Sequence, residues 1–322
     1  MRPCCNRRVR KPVLAVVGAV IAMAPALAQQ VPDTAYKPPI ARPAYAADKG
    51  PRVVIDGGHH NFHKVDGRYL PFATLLRRDG YRVSGSSSPF TADSLKAADV
   101  LVIANALAAV NDEAGGNWSL PTPSAFTADE IATVEKWVEG GGALLLIVDH
   151  MPMPGAAGDL GRAFGVEFSN GFAGLKDETG IGPITFTTAA GSLKKGPWTE
   201  GRSADERVET VITFTGSAFV AGPKVTPVLV FPDGYVSLTP EGAFQFKPET
   251  PRVPIAGWCQ GAVVAVGKGR VAVFGEAAMF SAQLAGPGKA PMGMNVAAAK
   301  RNYQFLLNVM HWLSNAPGMP KG

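Results

Sequence analysis

The residue types able to move protons or hold a metal collect at the ends of four apolar runs in this 322-residue chain. Arg52-Val53-Val54-Ile55 leads into Asp56, His59, His60, Asn61 and His63. Val100-Leu101-Val102-Ile103 leads into Ala104 and Asn105, Leu144 to Val148 into Asp149-His150, and Val271-Ala272-Val273-Phe274 into Gly275-Glu276. In an open α/β sheet the crevice outside the carboxyl ends of the strands is where ligands bind, so these ends are read as one rim. Asp149-His150 is the sharpest pair. A histidine there can serve as general base or metal ligand because its ordinary pKa lies near neutrality, with Asp149 orienting it. The alternative reading makes Asp149 a cap and His150 a filler. Glu276 is either a second acid/base group or a helix cap.

In the first cluster, Asp56, His59, His60 and Asn61 are candidate ligand-binding residues, and Asn105 is a candidate ligand-orienting group. His59 and His63 have the i, i+4 spacing found in zinc sites, although here they follow Gly57-Gly58 in an expected loop and no H-E-x-x-H motif occurs. If the strand order resembles flavodoxin, the first strand and the Asp149-His150 strand are one neighbour apart, their tips roughly 10 Å apart. His59, His63 and His150 could then converge on a divalent metal such as zinc, against the alternative of a metal-free polar pocket. No G-x-S-x-G elbow, phosphate loop or dinucleotide fingerprint is present, so serine hydrolysis and a nucleotide cofactor are not expected. Trp118, Trp198 and Trp258 are read as a sugar-stacking wall or as buried packing.

The elements that must position this rim alternate between strand and helix. A buried strand over residues 53–55 precedes a helix over 68–79 with Leu75 and Leu76 facing the core and Gly80 ending it. Short strands follow over 81–83 and 99–104. Thr127 to Glu130 forms a capping box for a helix carrying Ile131, Val134 and Val138 on one face, stopped by Gly140-Gly141-Gly142 before a strand over 143–148. This repetition predicts an α/β fold, a flavodoxin-like doubly wound, mostly parallel sheet. Residues 165–261 read as an inserted antiparallel β elaboration of that sheet. A hairpin turning at Gly267-Lys268-Gly269 delivers Glu276. The final helix, over 296–314, carries Tyr303, Leu306, Met310 and Leu313 on one stripe, and its His311 is read as structural.

Residues 1–28 have the layout of a cleavable secretory signal peptide. Arg2, Arg7, Arg8, Arg10 and Lys11 precede an apolar stretch ending in Ala26-Leu27-Ala28. A periplasmic or secreted protein with no membrane span after cleavage is therefore expected. Without the leader, 26 Lys and Arg face 26 Asp and Glu, so the pI of about 9.1 belongs largely to the leader and no nucleic-acid partner is implied. Cys4 and Cys5 leave with it, and Cys259 alone cannot form an intramolecular disulfide. Residues 29–50, with four prolines, read as an extended tether, 51–315 as a single domain and 316–322 as a tail.

The run of Val54-Ile55-Asp56 with His59 and Asn61, Asp99 to Asn105, Phe126-Thr127 through Gly142 to His150, Gly267-Lys268-Gly269-Arg270-Val271 to Glu276, and Asn302 to Leu313 resembles the class I glutamine amidotransferase-like superfamily. Within it the chain is similar to secreted bacterial proteins of an uncharacterised branch labelled a domain of unknown function, and more distantly to ThuA-like domains. The resemblance covers residues 51–315 apart from most of the insertion. It implies the scaffold and the place of an elbow after residues 144–148, where the superfamily's amidotransferases carry a nucleophilic cysteine. Asp149-His150 stands there instead, and Cys259 lies far downstream, so glutamine hydrolysis is not expected. The expected function is an exported hydrolase-like protein acting on a small-molecule or carbohydrate ligand, with Asp149, His150 and Glu276 as catalytic candidates. The alternative is a non-catalytic ligand-binding or interaction module.

Overall fold

The computed structural model describes residues 30–177 and 181–320; the expected signal peptide lies outside the described residues. The parallel strands are β1 (Arg52–Asp56), β2 (Arg82–Ser86), β3 (Val100–Ala104) and β4 (Ala143–Ile147), with helices α1 (Leu70–Arg78) and α2 (Ala128–Glu139) between them. The insertion contributes β5 (Val166–Phe168), β6 (Phe172–Leu175), β7 (Phe219–Ala221), β8 (Thr226–Val230) and β9 (Tyr235–Leu238). Then come β10 (Cys259–Val266), β11 (Gly269–Phe274) and α3 (Asn302–Leu313).

The main sheet runs β2-β1-β3-β4-β11-β10-β7-β5, with β8 also on β10. Its pairs from β2 to β11 are parallel and the rest antiparallel. Every residue of β3 and β4 is buried, as expected of central parallel strands covered on both faces. Each such apolar side chain contributes roughly 1.5–3 kcal/mol of burial. One core face is built from Val53, Val100, Leu145, Ala272 and α3, the other from Leu101, Leu144, Val134 and Val138. Because side chains alternate along a strand, the apolar runs had to be continuous to serve both. The capping box of Thr127 and Glu130 is formed in full, and Gly80 ends α1 with φ at 94°. No helix among the described residues is long and apolar enough to cross a membrane.

Three expectations are corrected. Residues 30–50 are not a free tether. Val31–Pro32 pairs with Gln283 and Leu284, and Tyr36, Ile40 and Tyr45 pack on the main core. The Ala44 amide donates to Asp79 Oδ1 at 2.8 Å, and Asp79 Oδ2 meets His311 Nε2 at 2.6 Å. The segment turns at residues 34–35 and 47–49 and is held down because its aromatic residues have a core to bury against. Secondly, the insertion does more than extend the sheet. β6 and β9 join Arg252–Pro254 in a separate sheet, and Ile184–Thr187 pairs with Thr210–Thr213 in another. Thirdly, α3 is buried on all sides, because the insertion covers the face that a one-stripe helix would show to solvent. Trp198 of the insertion lies edge-on to Trp312, and Asn308 donates to the carbonyls of Trp198 and Glu206. The buried pair with Asp79 makes His311 structural, as expected.

Candidate functional site

The loop after β1 is held by a carboxylate–imidazole–carboxylate array. Asp56 Oδ1 accepts from the Gly58 amide at 3.0 Å, and Oδ2 meets His59 Nδ1 at 2.9 Å. His59 Nε2 meets Glu130 Oε1 at 3.0 Å. A carboxylate at each nitrogen is satisfied when both nitrogens carry protons. Burial opposes the charged ring, but Asp56 and Glu130 outweigh it and raise the pKa of His59. Burial likewise works against ionisation of Glu130, yet the Thr127 and Phe90 amides, the Thr127 hydroxyl and His59 bring its carboxyl down to about 2. Phe90 and Phe126 pack against the imidazole, with ring centroids 4.4 and 4.8 Å away. Glu130, legible in sequence as the closing residue of a capping box, thus uses its other oxygen to bind a loop 71 residues away. No local signal distinguishes that second role.

Asn105 joins the first loop to the elbow. Its backbone sits in the left-handed region at φ 52°, which Asn tolerates better than most residues. Its Oδ1 accepts from the Asp149 amide at 2.9 Å, so its Nδ2 is the donor to His63 Nδ1 at 3.1 Å. The neutral His63 ring therefore carries its proton on Nε2, which is buried without a hydrogen-bond partner among the described residues. Burial, then Arg68 and His150, push the His63 pKa well down. Positive φ at a non-glycine residue thus occurs at the end of β3 and, in the loop after β1, at His60 with φ 49°. The elbow residues Asp149 and His150 are not among the non-glycine residues with positive φ.

At the elbow, Asp149 Oδ1 accepts from the His150 amide at 2.8 Å, and His150 Nδ1 lies 2.8 Å from the Met151 carbonyl oxygen. A carbonyl can only accept, so Nδ1 carries a proton. The ring stacks on Phe172 at 4.6 Å and meets Phe244 edge-on at 4.8 Å, with Trp118 at 6.1 Å. Two segments roof it. Leu120 donates to Glu241 and Ala243 to Trp118, closing residues 117–120 against 241–244. The aromatic enclosure, drawn from β6 and a distant stretch of the insertion, was invisible in the sequence.

Glu276 is buried, and its two oxygens accept from the amides of Ala278 and Met279 at 2.8 and 2.7 Å, which is the capping geometry. Burial and the nearby Asp149 nevertheless push its pKa well above the ordinary range, against those amides. Gly275 before it is obligatory, because a Cβ there would lie 2.4 Å from the Ser217 carbonyl oxygen. Tyr69 is a further member that the sequence did not reveal. Its hydroxyl donates to Ala277 at 3.0 Å and its ring lies 4.7 Å from His63. Burial, Glu276 and Asp149 raise its pKa well above normal.

The rim residues therefore meet, but not as expected. His59, His63 and His150 do not form a ligand set, and among the described residues no group of three or more His, Cys, Asp or Glu is arranged to hold a metal. His59 has both nitrogens committed to carboxylates, and the i, i+4 pair lies in a loop where spacing does not align side chains. Trp118 stands beside His150, Trp198 lies edge-on to Trp312 of α3, and Trp258 packs on the main core, so the three form no common wall. Cys259 is buried, and burial raises its thiol to about 12, which removes nucleophilic character at neutral pH. His60 remains partly exposed, 2.9 Å from Asp112. It opens onto a cavity of about 320 Å³ whose walls include Asn61, Lys64, Asp66, Arg68 and Asp112.

No protein-family model matches the chain, and no curated protein does. Among solved structures, the mmIFT52 N-terminal domain is similar at 12% identity over 83% of this chain and 98% of that one, with a TM-score of 0.55. A ThuA-like protein from Bacteroides uniformis matches at 12% identity over 84% and 93% of the two chains, TM-score 0.44. A GMP synthase-type protein from Thermoplasma acidophilum matches at 11% over 82% and 96%, TM-score 0.39. At 12% identity the likeness to the mmIFT52 domain is one of fold alone.

Proposed function

We propose that this chain is an exported α/β domain that binds a small polar or carbohydrate-type ligand on the β1 side of the rim, without a catalytic cysteine. The order β2-β1-β3-β4-β11 in the parallel block supports a flavodoxin-like assignment, and with it kinship to the class I glutamine amidotransferase-like superfamily. The observation that carries the binding reading is the contrast in access. The cavity beside His60 is walled by cations and anions together, Lys64 and Arg68 against Asp66 and Asp112. The elbow is enclosed by aromatic rings, and Asp149 Oδ1 and His150 Nδ1 are taken up by backbone partners. Mixed polar walls suit a ligand presenting several hydroxyls or opposite charges.

The test is a thermal-shift screen of monosaccharides, uronic acids and amino acids. At least one class should raise the Tm of the wild type, and the rise should disappear in Lys64→Gln/Asp66→Asn while persisting in His150→Phe. A panel without effect on the wild type would overturn the reading. A second, hydrolytic reading is favoured by one feature, the orientation of His150: Met151 accepts from Nδ1 and leaves Nε2 without a backbone partner, with Glu276 as an acid. It requires hydrolysis of an ester or glycoside substrate that His150→Phe abolishes. Export predicts a mature N-terminus at Gln29, read by N-terminal sequencing of the envelope fraction.

A further inference from the structure

Away from the rim, three cavities meet where the insertion packs beside the start of α3. The middle one, of about 500 Å³, is lined by Arg207, Glu209, Thr210, Lys300 and Arg301. It shares Arg207 and Glu209 with a cavity of about 270 Å³ that also has Lys195 and Glu200 in its wall. It shares Arg301 with one of about 280 Å³ bordered by Arg42 and Gln304. The shared residues make one groove of the three.

Charge is unevenly spread along it. In the middle cavity three cations face Glu209 alone, and among the described residues none of the three is in an ion pair. Arg301 is half-buried and held in place by the Asp205 and Arg207 carbonyl oxygens at 2.7 and 2.8 Å. Carbonyls fix a guanidinium without neutralising it, so its charge is pre-positioned for an external anion. Arg207 and Lys300 are exposed beside it. The flanking cavities carry more carboxylate, Glu200 joining Glu209 beside Lys195 and Arg207 in one, and Asp205 and Glu206 standing among Arg42, Arg202 and Arg301 in the other. Carboxylates there repel a dense polyanion such as polyphosphate or nucleic acid but accept hydrogen bonds from hydroxyls.

We infer that this groove binds an acidic saccharide, a uronate carboxylate lying on Arg207, Lys300 and Arg301 and neighbouring sugar hydroxyls reaching Glu200, Glu209 and Gln304. Calorimetric titration of the full chain with trigalacturonate, with neutral galactotriose and with tripolyphosphate tests it. Trigalacturonate should bind at low salt, and the neutral trisaccharide at least about tenfold more weakly, because the carboxylate contacts are charge-assisted. Arg207→Glu/Lys300→Glu should lose affinity by at least about tenfold at unchanged Tm, since both side chains are exposed, while Arg207→Lys/Lys300→Arg retains binding. No heat with trigalacturonate, equal affinity for galactotriose, an unaffected charge-reversal variant, or tripolyphosphate binding as tightly as the saccharide would each overturn the inference.

Discussion

The loop after β1 and the elbow after β4 leave the same sheet at the same end, and both carry Asp and His, yet they solve opposite problems. The β1 loop is tied by charge. Asp56 and Glu130 hold His59 from both sides, and Asp112 meets His60 next to an open cavity. The elbow is tied by backbone and aromatic packing, with Asp149 and His150 bonded to neighbouring main-chain groups beneath Phe172, Phe244 and Trp118. Asn105 spans the two. Residues capable of chemistry can thus be consumed in holding loops. What separates the cases is which unrelated segment arrives above them, a helix N-terminus at one and a roofing insertion at the other.

The largest effect should come from the charged clamp. His59→Ala leaves the buried carboxylate of Asp56 and the partly buried one of Glu130 facing each other and should cost about 3 kcal/mol in urea unfolding, as breaking a buried pair does; a loss below about 1 kcal/mol would show that the clamp is not formed. Its pH dependence has a definite sign. The raised His59 pKa contributes stability that is full below the ordinary value of 6.5 and is lost as pH rises through the raised one. Glu130, lowered to about 2, contributes stability present above its ordinary 4.5 and lost as pH falls from there towards about 2. The two contributions coexist between 4.5 and 6.5. In His59→Ala the decline on the alkaline side should flatten.

Next in size is the bridge. Asn105→Ala removes both hydrogen bonds and places a less tolerant residue at positive φ, for a cost of about 2 kcal/mol. Asn105→Gly relieves the conformational part alone and should recover about 1 kcal/mol of it. Equal losses in the two variants would mean that backbone conformation contributes nothing there. At the elbow, His150→Phe keeps the ring stack and loses one bond to Met151, so less than about 1 kcal/mol is expected. A loss of several kcal/mol would reveal a polar role that the aromatic enclosure hides. Smallest is Lys64→Gln on the cavity wall, within about 0.5 kcal/mol of wild type, with its consequence confined to ligand binding.

Much of the framework was legible. Continuous apolar runs marked β1, β3 and β4, the Thr127–Glu130 box marked the start of α2, and Gly267-Lys268 marked the turn before β11. Those signals are local. The site was legible only as a list of residues. Glu130, Tyr69 and Phe244 join it through contacts across long stretches of chain, and nothing in their neighbours anticipates those contacts. The tether failed for a related reason, since proline content describes backbone preference and says nothing of a core waiting to receive Tyr36, Ile40 and Tyr45.

By itself, then, the sequence determined where strands end and which polar residues stand at those ends, because pleat alternation, caps and turns act over a few residues. Tertiary structure alone decided what each of them does. Whether a histidine is a clamp, a buried neutral ring or a cavity wall depends on the charge and solvent access supplied by segments distant in the chain, and those are properties of the packed molecule.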